Sequence, residues 1–172
     1  LAFVTTVGRT RAVATELARK YGTIHAAKWA FRDAVQDSPR RLQRTRLDPT
    51  LYPTVQRFFS ALLYADAALR LSPNERTSVP PRQRRLWGRG ISGDLPIVLV
   101  RLSPGGEATV ALEALRLHAD VRDRGAGIDF VLCDEEPSGY ASPRRDRLEV
   151  ERARLSALAA PARPGAAFLL AA

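Results

Sequence analysis

The feature that most constrains the fold is a series of three short apolar runs in the second half of the chain, at residues 97–102, 128–133 and 167–170. A continuous apolar run is typical of a strand buried on both faces, as strands of parallel sheets are. Apolar residues recur at helical spacing between the runs. These are Val110, Ala114, Leu117 and Val121, then Leu148, Leu155 and Leu158. The order strand, helix, strand, helix, strand predicts a small parallel sheet with crossover helices.

The first half of the chain predicts helices that follow one strand. Residues 3–7 are β-branched and short, which favours a strand. Thr10 and Thr23 are in position to cap two helices, and Ser38 before Pro39 has the pattern of a cap with proline at the first helical position. The apolar stripe of a further helix comprises Leu51, Val55, Phe59 and Leu62. The predicted fold class is therefore α/β, with N-terminal helices after one strand and then a βαβαβ unit.

An Arg- and Pro-rich segment without periodicity lies between the halves, at residues 71–90, and predicts a long loop. It leads into Gly90-Ile91-Ser92-Gly93-Asp94-Leu95-Pro96, where the glycines permit a tight turn and the proline favours an extended residue before it. We expect the Asp94 carboxylate to accept backbone hydrogen bonds and tie the loop to the sheet. We expect Trp87 either to plug the core under the loop or to stack on a sugar ring. The chain thus divides into residues 1–70, 71–96 and 97–172.

Composition excludes several classes of protein. The net charge of +9 suggests nucleic-acid binding, but the charge is almost entirely Arg spread along the chain, so we predict no nucleic-acid partner. The single cysteine excludes an internal disulfide and a zinc site of the CxxC type, and no apolar run is long enough for a membrane span. The chain begins at Leu1 and contains no methionine, which predicts an internal part of a longer polypeptide.

Motifs for catalysis and cofactor binding are incomplete. Residues 88–93 match G-x-G-x-x-G, but this turn precedes a strand, whereas a dinucleotide site requires it to follow one. The turn at residues 103–106 has the right position, and Asp134 or Glu135 could contact a ribose, so a small nucleotide- or phosphosugar-binding module is the alternative function. His25 and His118 lie on predicted helices without a ligand partner. We therefore predict no catalytic residue, no metal and no cofactor.

Several segments follow one another as they do in a known bacterial family: Leu51-Tyr52-Pro53, Leu86-Trp87, residues 90–101, and the second strand with its acidic loop of Asp134, Glu135, Ser138 and Tyr140. Through them most of the chain resembles, in order, the cyclic β-1,2-glucan synthases. These bacterial proteins combine a membrane-embedded glucosyltransferase with a cytosolic region similar to cellobiose and chitobiose phosphorylases. The family's aromatic-rich His-Glu-Tyr-Trp run is replaced here by residues 117–122, which lack aromatics. No sugar contact is therefore carried over to that helix.

The resemblance implies an accessory role. Residues 1–70 would be the end of a β-sandwich with a helical linker, and the catalytic acid would lie outside this chain. The parent protein would be an enzyme on the cytoplasmic side of the bacterial inner membrane, and this segment would support its phosphorylase-like region without being catalytic alone. Its partners would be the rest of the polypeptide and a β-glucan. The candidates for carbohydrate binding or loop anchoring are Trp87, Arg89, Ser92 and Asp94.

Overall fold

The structure is a computed structural model that describes residues 3–64, 66–70, 72, 74, 83–136, 142–159 and 163–171. The chain divides into two compact units, Leu1–Arg41 and Leu42–Ala172. The predicted division at residues 70 and 96 remains a prediction of the sequence.

The first unit consists of an extended segment and two helices. Helix α1 spans Arg11–Tyr21, and Thr10 caps it by accepting a hydrogen bond from the backbone N–H of Val13 at 3.3 Å. Helix α2 spans Ile24–Thr45 and continues into the second unit. Residues 3–7 form no strand, which corrects that prediction. A strand needs a neighbour to satisfy its N–H and C=O groups, and none of the described residues pairs with this segment.

The helix predicted to start at Pro39 does not exist as a separate element. Pro39 lies inside α2, which runs through it without a break. Proline has a backbone φ compatible with a helix, but it removes one N–H bond and its ring crowds the carbonyl of the preceding turn. Side chains bridge the same turn, since the Ser38 hydroxyl donates to the Ala34 carbonyl at 3.2 Å and Arg41 pairs with Asp37.

The second unit contains the predicted parallel sheet. Its strands are β1 (Ile97–Leu102), β2 (Asp129–Asp134) and β3 (Ala167–Ala171), in the order β1-β2-β3 with both pairs parallel. Helices α5 (Ala108–Asp123) and α6 (Pro143–Ala157) connect the strands and pack against each other. The α/β fold and all three strands are confirmed, each strand within one residue of its predicted ends.

The core of this unit lies between the sheet and one layer of helices. Because crossovers between parallel strands are right-handed as a rule, this strand order places both helices on the same face of the sheet. Leu115 on α5 and Leu148 on α6 are buried against Phe130 and Leu132 of β2. Helix α3 (Tyr52–Tyr64) adds a second cluster, in which Val55 packs with Val121 and Ile128. Ile97 and Leu99 on the other face of β1 are exposed.

Part of the segment predicted as a long loop is helical. Residues 71, 73 and 75–82 lie outside the described residues, but a one-turn helix, α4, spans Arg84–Trp87. A turn at residues 88–96 then joins α4 to β1. This short helix and its turn position the candidate site.

Candidate functional site

The backbone after α4 is folded into a tight turn. The N–H groups of Arg89 and Ile91 both donate to the Leu86 carbonyl, at 2.9 and 3.1 Å. Gly90 and Gly93 have φ values of 74° and 78°, a region that side-chain-bearing residues rarely adopt. A Cβ atom on Gly93 would lie 3.2 Å from the Leu86 Cδ1 atom. The glycines of the G-x-G-x-x-G sequence therefore build a turn, as predicted from its position before a strand.

Ser92 is the centre of the hydrogen bonds in this turn. Its carbonyl accepts from the Trp87 indole Nε1 at 3.1 Å and from the Gln83 Nε2 at 2.9 Å. Its hydroxyl accepts from the backbone N–H of Asp94 at 3.2 Å. Ser92 thus fixes both the indole ring and the start of the segment that leads to β1.

Trp87 is anchored but exposed. The side chain is 57% accessible, so it does not plug the core; Ile91, at 2%, takes the buried position in this turn. Because the indole N–H is already bonded, the ring orientation is fixed while the ring itself remains accessible. A fixed, exposed aromatic ring is suited to stacking on an apolar face of a ligand.

Arg89 and Asp94 are close to Trp87 in the sequence, and both residues are exposed. Neither side chain makes a hydrogen bond or ion pair with any residue in the described part of the chain. The prediction that the Asp94 carboxylate ties the loop is therefore wrong, because Asp94 contributes its backbone N–H and Ser92 supplies the acceptor. We call Gln83, Trp87, Arg89, Ser92 and Asp94 the Trp87 turn.

The acidic loop after β2 is described only at Glu135 and Glu136, because Ser138 and Tyr140 lie outside the described residues, and this part differs from the Trp87 turn. Arg144 forms ion pairs with Asp134 and Glu136 and donates to the carbonyls of Ser103 and Gly106 at 3.3 and 2.9 Å. Burial by itself would raise the pKa of Asp134, but the hydrogen bonds from Arg144 and from the Glu136 backbone outweigh it and lower the pKa. Asp134 is therefore a buried partner in a structural ion pair.

This pairing weakens the alternative of a nucleotide site. An open groove of about 310 Å³ does lie at this edge, lined by Gly105, Gly106 and Arg147 among others. The acids expected to contact a ribose are engaged, however, because Asp134 bonds Arg144 and Glu135 bonds Arg101. Among the residues that the structure describes, the groove therefore lacks the free acid that ribose recognition uses.

The two histidines occupy different environments. His25 is exposed on α2, whereas His118 is buried and stacks on Phe130 with ring centroids 5.2 Å apart. The His118 Nε2–H donates to the Ile128 carbonyl at 3.2 Å. Burial, with a smaller contribution from the Arg122 charge, lowers the pKa of His118 to about 4. His118 faces the core and has no access to a ligand at the surface.

The described residues contain no cluster of three or more His, Cys, Asp or Glu side chains that could hold a metal ion. None of the described helices combines the length and apolar character needed to cross a bilayer.

No protein-family model matches the chain. The cyclic β-(1,2)-glucan synthase NdvB of Rhizobium meliloti (strain 1021) is similar to it, with 35% identity over 88 residues. The match covers 51% of this chain and 3% of the synthase, so the chain corresponds to a small part of that relative's length. The resemblance to bacterial glucan synthases is thus confirmed for about half of the chain.

Proposed function

We propose that this chain is an accessory, non-catalytic segment of a cyclic β-1,2-glucan synthase-like protein, in which the Trp87 turn contacts glucan. The observation that carries the proposal is the exposed indole of Trp87, held by Ser92. The similarity over 88 residues to a protein named as a β-(1,2)-glucan synthase supports the choice of ligand.

The chemistry of the Trp87 turn suits a sugar. The C–H groups on one side of a glucopyranose ring form an apolar face that can lie on an indole ring. The Arg89 guanidinium supplies only donors and the Asp94 carboxylate only acceptors, and sugar hydroxyls can bond both. Because neither group is used within the described chain, a ligand would not have to break an existing bond.

The acidic loop does not supply a catalytic pair. A glycosidase or phosphorylase acid must exchange its proton with the substrate. Asp134 and Glu136 are both paired with Arg144, and Glu135 with Arg101. We infer that the chemistry belongs to other parts of the longer protein and that this segment supports a phosphorylase-like, chain-length-controlling region on the cytoplasmic side of the bacterial inner membrane.

Calorimetric titration with β-1,2-gluco-oligosaccharides tests the proposal. Trp87→Ala should weaken binding about tenfold, which is about 1.4 kcal/mol, and Asp94→Asn should weaken it less. Trp29→Ala is the matched control, because Trp29 is 56% exposed but lies in the other unit. Equal affinities of wild type and Trp87→Ala would refute the contact.

Chain-dependent release of glucose 1-phosphate from oligosaccharide and phosphate would refute the non-catalytic role.

A further inference from the structure

The first unit has no core of its own. None of the residues from 3 to 41 is buried, although they include all of α1 and most of α2. Helices in proteins are stabilised mainly by burial of an apolar face, since an isolated helix is marginal in water. Something that is not part of this unit must therefore cover an apolar face of α2 when the helix is stable.

Helix α2 has a defined apolar stripe. Ile24, Phe31 and Val35 are 55%, 73% and 72% exposed. At about 100° per residue, they fall within a sector of about 40°. Exposed apolar residues that align along a helix mark an interaction surface, whereas scattered ones need no explanation.

The charges beside this stripe are positive. The first unit contains eight Lys or Arg residues and three Asp or Glu residues, so it carries more than half of the net charge of the chain. Lys28 and Arg32 lie within about 80° of the stripe centre, whereas Asp33 lies about 180° from it. Neither Lys28 nor Arg32 forms an ion pair with a residue that the structure describes.

We infer that α2 binds the surface of an anionic phospholipid bilayer, with Ile24, Phe31 and Val35 in the acyl boundary and Lys28 and Arg32 at the headgroups. A helix with an apolar stripe, a basic flank and acids on the opposite side is the type that lies in the membrane interface. The basic flank selects an anionic surface over a neutral one and disfavours pairing with a second copy of the same basic unit.

Vesicle sedimentation of the full chain tests this inference. We expect binding to vesicles of phosphatidylcholine with about 30% phosphatidylglycerol and little binding to pure phosphatidylcholine, because each basic residue near an anionic surface strengthens binding about fivefold. Phe31→Asp with Val35→Asp should reduce binding more than tenfold, and Lys28→Gln with Arg32→Gln should reduce it about twenty-five-fold.

Trp29→Asp is the control for helix integrity. Trp29 is on the same helix and is also exposed, but it lies about 140° from the stripe, so its substitution should leave vesicle binding unchanged. Circular dichroism checks that all variants keep their helix content. Equal binding to neutral and anionic vesicles, unchanged binding of the Phe31 and Val35 variant, or concentration-dependent dimers without vesicle binding would each overturn the inference.

Discussion

Two regions at the sheet, the Trp87 turn before β1 and the end of β2 with the acidic loop, present the same kinds of side chain in opposite states. At the end of β2, Asp134 is buried and pairs with Arg144 of α6, whose side chain is 10% exposed. In the Trp87 turn, the side chains of Arg89 and Asp94 are exposed and form no hydrogen bond or ion pair with the described residues. Residue type alone therefore does not identify a binding site.

The two regions differ in whether their charged side chains are bonded within the protein. Burial of a charge is tolerated only when a partner compensates for lost water, and such a partner also occupies the group. Asp134 and Arg144 are engaged in holding the carboxyl ends of β1 and β2 to the start of α6. Arg89 and Asp94 retain their bonding capacity, so the Trp87 turn is the better candidate for a ligand.

The largest effect should come from breaking the buried ion pair. Arg144→Met would leave Asp134 buried without its cation, which should lower the free energy of unfolding by about 3–5 kcal/mol in urea titration. Arg147→Met is the control on the same helix, where an exposed side chain should change stability by no more than about 0.5 kcal/mol. Equal effects of the two variants would show that the ion pair between Arg144 and Asp134 does not stabilise the fold.

A second prediction extends the comparison to pH. Burial lowers the pKa of His118 to about 4 from 6.5, so the folded state disfavours the protonated ring. Stability should therefore be full above pH 6.5 and fall by about 3 kcal/mol as the pH drops towards 4, because the unfolded state binds the proton first. His118→Gln should lack this loss in urea titrations at pH 7 and 4.5. An equally steep loss in the variant would assign the acid sensitivity to other groups.

A smaller effect tests how the Trp87 turn is built. Gly93→Ala should cost about 1–2 kcal/mol, because it places a side chain at positive φ and a Cβ near Leu86. Gly88→Ala, at a φ of −62° with ample space, should be neutral or stabilise the chain by up to about 1 kcal/mol. Thermal melts compare the pair directly. A neutral Gly93→Ala would mean that the turn tolerates another backbone conformation.

The sheet could be predicted from the sequence because continuous apolar runs and helical periodicity are local signals. Helix caps are local signals too, and Thr10 caps α1 as expected. The roles of Ser92 and Asp94 could not be predicted, since the direction of a side chain in a turn depends on the three-dimensional path of the backbone. The sequence indicated which residues share the turn, but only the structure showed which of them remain free.

Two errors in the first half have a related cause. The β-branched residues 3–7 have strand propensity, but a strand requires a partner that propensity does not reveal. Pro39 carries a helix-start signal, but side-chain bonds around it and a compatible φ let α2 continue. In both cases the residue type alone did not decide: residues 3–7 have no partner strand among the described residues, and Pro39 lies within a helix that continues on both sides of it.

The most direct test of the central claim uses the two indole N–H resonances in a ¹H–¹⁵N spectrum, one each from Trp29 and Trp87. During titration with a β-1,2-gluco-oligosaccharide, the Trp87 resonance should shift and saturate, while the Trp29 resonance should stay in place and serve as an internal reference. A Trp87 resonance that does not move, or that moves no more than that of Trp29, would contradict the assignment of the Trp87 turn as the glucan contact.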